Sequence, residues 1–298
     1  MISEERLSSW AAPPSEAERQ KCDRTATQIR NAIDKSEALS VHSIAVFAQG
    51  SYRNNTNIRH DSDVDVCVLC TDVFFSDFGL SDGLTKSDVG IVDSSYSYSE
   101  FKSDVQQSLE AYFSPESVSR GNKAFDIHES STRVDADVVA CFEHRRYMKD
   151  PIRRFRYLSG TELRPDTGSK IVNWPNQNYE NGVAKNRRTG RRFKGGVRIL
   201  KRLRNEMAEK GKTSVDAPSY LLECLAWNVP DVGFADSAYR NNLRYMLAYL
   251  FNNTRSDSGC SEWGEVNELK YLFRQRQPWT RADVHTFVSD AWDYVEFD

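Results

Sequence analysis

The chain has 298 residues, of which 39% are apolar and 28% charged, with a net charge of −3. That length can bury a sizeable core, in one large domain or two lobes, and the near-neutral balance argues against indiscriminate nucleic-acid binding by the whole surface. No apolar stretch approaches the ~20 residues a membrane helix needs. Met1-Ile2-Ser3-Glu4-Glu5-Arg6 carries acids and no apolar run, so no secretory signal is visible. The expectation is a cytoplasmic protein with no membrane partner. Its six dispersed cysteines read as reduced thiols.

In chain order, residues 15–40 read as a helix with Ala17, Ile29, Ala32 and Ile33 among charged positions. Residues 43–48 form a short apolar run that ends at Gly50, a strand leading into a turn. Residues 63–70 alternate: Asp63, Asp65, Cys67 and Leu69 share one strand face, and Val64, Val66, Val68 and Cys70 the other. Cys67 and Cys70 therefore point apart and read as buried strand thiols, not half of a zinc site. Residues 72–97, rich in Ser, Asp and Gly, read as a long loop. Residues 99–113 carry Phe101, Val105, Leu109 and Tyr112 at helical spacing, and residues 123–128 and 132–142 read as two more strands.

Beyond Asp150 the composition changes. Residues 164–177, with Pro165, Gly168 and Pro175, look like a connection. Helical periodicity then covers 193–210, 219–227, 239–251, 261–272 and 280–293, the last opened by Thr280-Arg281-Ala282-Asp283, close to a capping box. The expected fold class is α/β: a mixed-sheet lobe over residues 1–164, followed by a helical lobe over 165–298, with a cleft between them.

The chemistry sits in Phe47-Ala48-Gln49-Gly50-Ser51, followed by Asp63-Val64-Asp65. A Gly-Ser turn can present backbone N–H groups and a hydroxyl to phosphate, and carboxylates at i and i+2 on a strand can hold divalent cations on one face. Two-metal nucleotidyl transfer needs a third carboxylate from a neighbouring strand. Asp135 and Asp137, in Arg133-Val134-Asp135-Ala136-Asp137, are both candidates.

The Gly-Ser then Asp-x-Asp order resembles the DNA polymerase beta-type nucleotidyltransferases, and so implies their core. Gln49-Gly50-Ser51-Tyr52, Asn55-Thr56-Asn57-Ile58 and Ser62-Asp63-Val64-Asp65-Val66 together resemble the bacterial cGAS/DncV-like enzymes, which make cyclic oligonucleotide second messengers for anti-phage signalling. Asp137-Val138-Val139-Ala140-Cys141-Phe142 resembles their third-carboxylate strand, with Ala140 where the family usually has Pro, and so favours Asp137 over Asp135. Asn173-Trp174-Pro175, Tyr179-Glu180-Asn181-Gly182 and Lys185-Asn186 resemble the inter-lobe segment of the clade that often accepts pyrimidines.

The resemblance implies two Mg²⁺ (or Mn²⁺) ions on Asp63, Asp65 and Asp137, donor phosphates on Gly50 and Ser51, and Lys201 on the triphosphate. It also implies Tyr220 stacked on the donor base with Ser219 at the base edge; Asn173 and Asn181 are both candidate base readers, since an amide can donate to and accept from a pyrimidine. Partners are then NTPs and a protein or phage-derived trigger, without stable nucleic acid. The stretch from Lys185 to Arg204 holds ten basic residues and no acid, readable as a solvated face or as an RNA path. A linear oligonucleotide synthase, an AMP-transferring enzyme and a non-catalytic binding partner remain as alternatives to a cyclic dinucleotide synthase.

Overall fold

The computed structural model describes residues 2–59, 63–81, 83–274 and 277–297. In chain order these form α1 (Glu4–Ala11), α2 (Glu16–Asp34), α3 (Glu37–Ser40), β1 (Ile44–Ala48), α4 (Gly50–Asn54), β2 (Val64–Asp77) and α5 (Tyr98–Phe113). Five strands follow: β3 (Val118–Arg120), β4 (Phe125–Ile127), β5 (Ala136–Asp150), β6 (Arg154–Leu163) and β7 (Ile171–Asn173). The remainder is helical: α6 (Pro175–Arg188), α7 (Phe193–Glu209), α8 (Ser219–Asn228), α9 (Tyr239–Asn253), α10 (Asp257–Cys260) and α11 (Arg281–Val295).

Grouped by internal contacts, the chain falls into two units. One comprises Glu16–Tyr52 and Ser62–Pro175; the other comprises Met1–Ser15, Arg53–Asp61 and Asn176–Asp298.

The first unit is the mixed α/β part. Its sheet runs β1-β2-β5-β4-β3, with β6 also paired to β5 and β7 to β6. β2 and β5 are parallel at its centre, and their Val-rich alternation puts Val64, Val66, Val68, Cys70, Ala136, Val138, Ala140 and Phe142 on one face. That face is covered by Cys22, Ala26, Ile29 and Ile33 of α2 and by Phe101, Val105 and Leu109 of α5. Cys67, Leu69, Val139 and Cys141 lie in a separate cluster on the other face, so Cys67 and Cys70 do point apart.

The second unit is helical. Val197, Leu200, Leu203 and Met207 line the buried side of α7, and they pack in one core with Leu7, Leu221, Leu225, Leu243, Met246, Phe287 and Val288. Thr280 accepts from Asp283 N while the Asp283 carboxylate accepts from Thr280 N, completing the capping box of α11. No helix among the described residues is long and apolar enough to cross a membrane.

Short elements such as α1, β3 and β7 were not expected, and four larger differences stand beside them. β2 continues through Asp77 into the stretch expected to be loop, because Phe74–Asp77 pair with Glu143–Arg146 of an equally long β5. β6 returns antiparallel along β5 from Asp150, where no strand was expected. Residues 175–188 form α6, opened by Pro175, whose missing N–H costs nothing at a first helical position. Residues 261–272 are not a helix: Asn228 donates to Gly264 O and accepts from Gly264 N, and Gly264 bridges Tyr271. Trp263, Val266 and Leu272 are still buried, so the periodicity reported burial and not conformation.

Candidate active site

β2 carries the first carboxylates. Asp63 stands just before the strand and Asp65 is its second residue; Ser62 lies outside the described residues. The parallel register sets Asp65 directly opposite Asp137 of β5, and the antiparallel register of β4 sets Asp126 opposite Asp137 from the other side. Asp137 is consequently pushed up to about 6, first by burial, then by the charge of Asp126 and a hydrogen bond to it, and by Asp63 and Asp135. Asp63, Asp65 and Asp137 are thus gathered at one end of the central strands.

Asp135 has another use. Its Oδ1 accepts from Glu129 N at 2.7 Å and its carbonyl accepts from Val64 N at 3.1 Å, so it closes the loop before β5. Asp126 was not anticipated. Its only sequence signal is Phe125-Asp126-Ile127, an acid between two buried apolar residues on a strand beside the third carboxylate.

The turn after β1 is built against these acids. Gln49 N donates to Asp65 O at 2.8 Å, and Gly50 follows at φ +61°, a left-handed conformation that glycine adopts without steric cost. A Cβ on Gly50 would lie 2.0 Å from Asp65 Oδ2. Only a glycine lets the backbone run this close to the carboxylate. Ser51 follows, half-buried.

The donor set is all oxygen, which suits a hard divalent cation. Burial is the main cause of the raised Asp137, and the carboxylate repulsion that adds to it is what such a cation would relieve. The residues therefore fit a metal centre.

Asn173 closes β7, is exposed, and pairs with Thr161 of β6. Gly160, at the edge of this pairing, has Asn173 O and the Trp174 ring where a Cβ would stand, at 2.7 Å each, so the indole is buried against bare backbone. Trp174 meets His144 edge-on at 5.4 Å, and Glu162 fixes His144 Nδ1 at 2.9 Å.

In the helical unit, Asn181 Nδ2 donates to Val266 O at 2.8 Å and so anchors the non-helical stretch before α11. The Tyr220 hydroxyl contacts Asn178 Oδ1 (3.1 Å), Glu265 Oε2 (3.0 Å) and Asn267 Nδ2 (3.1 Å), which holds its ring in one orientation. Ser219 Oγ accepts from Arg204 at 3.3 Å. Lys201 is buried on α7.

The basic stretch is largely structural. Lys185, Lys194, Arg198 and Lys201 are buried. Lys185 donates to Trp227 O and Val229 O at the end of α8, and Arg198 to Ala11 O and Asn55 O. Arg202 and Arg204 bind the carbonyls of Arg59 and Ala217.

Sheet order, paired acids and the glycine turn define a nucleotidyltransferase with a polymerase beta-like core. Residues 180–296 match the profile of the cGAS/DncV-like nucleotidyltransferase C-terminal helical domain. The chain is 45% identical to a cyclic dipyrimidine nucleotide synthase CdnE of Legionella pneumophila, covering 98% of each sequence. It is 41% identical to a cyclic dipyrimidine nucleotide synthase CdnE of Cecembia lonarensis, over 99% of this chain and 98% of that one. The solved Rhodothermus marinus CdnE c-UMP-AMP synthase, with Apcpp and Upnpp, superposes with a TM-score of 0.85 at 32% identity, covering 99% and 97% of the two chains. The chain belongs to the cGAS/DncV-like nucleotidyltransferases.

Proposed function

We propose that this protein is a cyclic dinucleotide synthase that joins NTPs through phosphodiester bonds, releases pyrophosphate and serves anti-phage signalling. The observation that carries the reading is the Asp65–Asp137 pairing with the Gly50 backbone packed on Asp65. Asp63, Asp65 and Asp137 would hold divalent cations, two Mg²⁺ or Mn²⁺, which when bound would neutralise phosphate charge and acidify the attacking hydroxyl. Gly50 N–H and the Ser51 hydroxyl hold the donor β- and γ-phosphates. Lys201 offsets triphosphate charge, Tyr220 stacks on the donor base and Ser219 meets its edge.

Asp137 takes the proton of the acceptor ribose hydroxyl. The freed oxygen bonds to the α-phosphorus in line, the bond from that phosphorus to the β-phosphate oxygen breaks, and pyrophosphate leaves. A second round between the two joined nucleotides closes the ring. Asn173, exposed on the edge of β7, is the favoured reader of a pyrimidine base, because the Asn181 amide is engaged by Val266. Pyrimidine use also accords with the names of the two relatives above.

Incubation with all four NTPs and Mg²⁺ or Mn²⁺, phosphatase treatment and mass spectrometry test this. A resistant product at a cyclic dipyrimidine or mixed pyrimidine–purine mass is expected, absent from Asp63→Asn/Asp65→Asn. Phosphatase-sensitive products only would replace the reading with linear synthesis.

A further inference from the structure

The far end of the β1–β2 pair holds a second group of metal-ligating side chains. His42 precedes β1, while Cys70 and Asp72 lie two residues apart on β2, with Ile44 opposite Cys70. Donor atoms of His42, Cys70 and Asp72 all lie within 4.8 Å of one another. His42 Nδ1 is 3.0 Å from Asp72 Oδ2, and Cys70 Sγ is 3.0 Å from Asp72 Oδ1. Ligands of a tetrahedral zinc, bonded at about 2.0–2.3 Å, stand about 3.4–3.6 Å apart, so donors up to 4.8 Å apart reach a coordinated arrangement by closing about 1 Å.

The group is also held from outside. The His42 ring stacks on Tyr96 with centroids 4.0 Å apart and planes at 16°. Tyr96 is pinned in turn by a 2.5 Å hydrogen bond to Asp104. Thr71 N and Oγ1 both donate to Ser43 O, which locks the two chain segments together beside the three donors. The pairing of β2 with β5 is interrupted between Cys70 and Phe74, so this stretch of β2 departs from a regular ladder where Asp72 stands.

We propose that His42, Cys70 and Asp72 bind one Zn²⁺, with the fourth position left to water, as a staple that fastens the entry of β1 to β2. A thiolate and a carboxylate balance the two charges of the ion, and a neutral imidazole completes a nitrogen, sulfur and oxygen set that suits zinc. Magnesium is selected against by the sulfur, so this site and the all-oxygen acid cluster take different ions. Five residues of strand separate Cys70 from Asp65, or about 17 Å at ~3.3 Å per residue, so the staple does not share ligands with the acid cluster.

The test uses the full chain carrying Asp63→Asn/Asp65→Asn, which disables the acid cluster, titrated with Co²⁺ and then displaced by Zn²⁺. One equivalent of Co²⁺ should give a thiolate-to-cobalt charge-transfer band in the near ultraviolet together with intense tetrahedral ligand-field bands. Zn²⁺ should abolish both and raise the melting temperature. His42→Ala and Asp72→Asn, at half-buried and exposed positions, should stay folded by circular dichroism. Each should weaken Zn²⁺ by more than the roughly 10–100-fold that loss of an outer-shell partner costs. Cys70→Ser should remove the charge-transfer band. A folded protein that shows no such band, or a band that survives both His42→Ala and Asp72→Asn, overturns the proposal.

Discussion

At the residue scale, the position of Gly50 against Asp65 explains why the motif needs glycine. Gly50→Ala would drive a methyl group into the Asp65 carboxylate and force a left-handed φ on alanine. We expect synthesis to fall by about a hundredfold or more, since a 1 Å misplacement at a reacting centre costs that much, and stability to fall by about 1–2 kcal/mol for the left-handed alanine. Asp137→Asn should cost about a thousandfold in turnover, equivalent to about 4 kcal/mol of barrier; product yield by mass spectrometry reads both. The raised Asp137 carboxyl also has a sign in stability. A native-state value above the ordinary carboxylate range favours the protonated form, so this contribution is complete below the unfolded value of 3.8 and is lost as pH rises through about 6. In EDTA the melting temperature should therefore fall between about pH 4 and pH 6 and level off above, more than it does in Asp137→Asn. Added Mg²⁺ should reverse the fall.

At the element scale, buried polar pairs decide which segments travel together. Glu223 of α8 accepts from Asn54 Nδ2 (3.2 Å), Thr56 Oγ1 (2.8 Å) and Asn178 Nδ2 (3.2 Å) and so ties residues 54–56 and α6 to one helix. Glu223→Ala leaves three donors without their acceptor and should cost at least about 3 kcal/mol in a urea titration, at 1–3 kcal/mol per buried group left unsatisfied. Thr280→Ala removes only the cap of α11 and should cost about 1 kcal/mol. The same reasoning separates what was legible among the elements from what was not. The alternation of β2 and the stripe of α7 could be read because one face of each is buried, and the period survives in the sequence. The length of β2 and β5 could not, because each is extended by the other. α6 has few apolar residues, and residues 261–272 carry a helical period on a backbone that Asn228 holds in another shape.

At the scale of the whole molecule, the basic stretch shows why charge counts mislead. Four of its ten basic residues are buried, two more bind backbone carbonyls and Arg188 pairs with Asp231, so fewer than half of the ten are left to form a cationic surface. Retention of single-stranded RNA in a gel-shift assay at physiological salt should accordingly be weak. Whatever binding occurs should have a shallow salt dependence, because few phosphate contacts release few counterions.

The sequence by itself determined the class of chemistry. Gly-Ser, Asp63 and Asp65 lie within sixteen residues, and strand period alone aligns the two acids. Asp137 was legible through resemblance, since nothing local separates it from Asp135. Only the tertiary structure decided that Asp135 closes a loop, that Asp126 stands beside Asp137, and that residues 1–15 and 53–61 belong with the helical unit. It alone brought His42 to Cys70. Each of these rests on strand pairing or packing between distant segments, and no local pattern records which partner a strand edge will find.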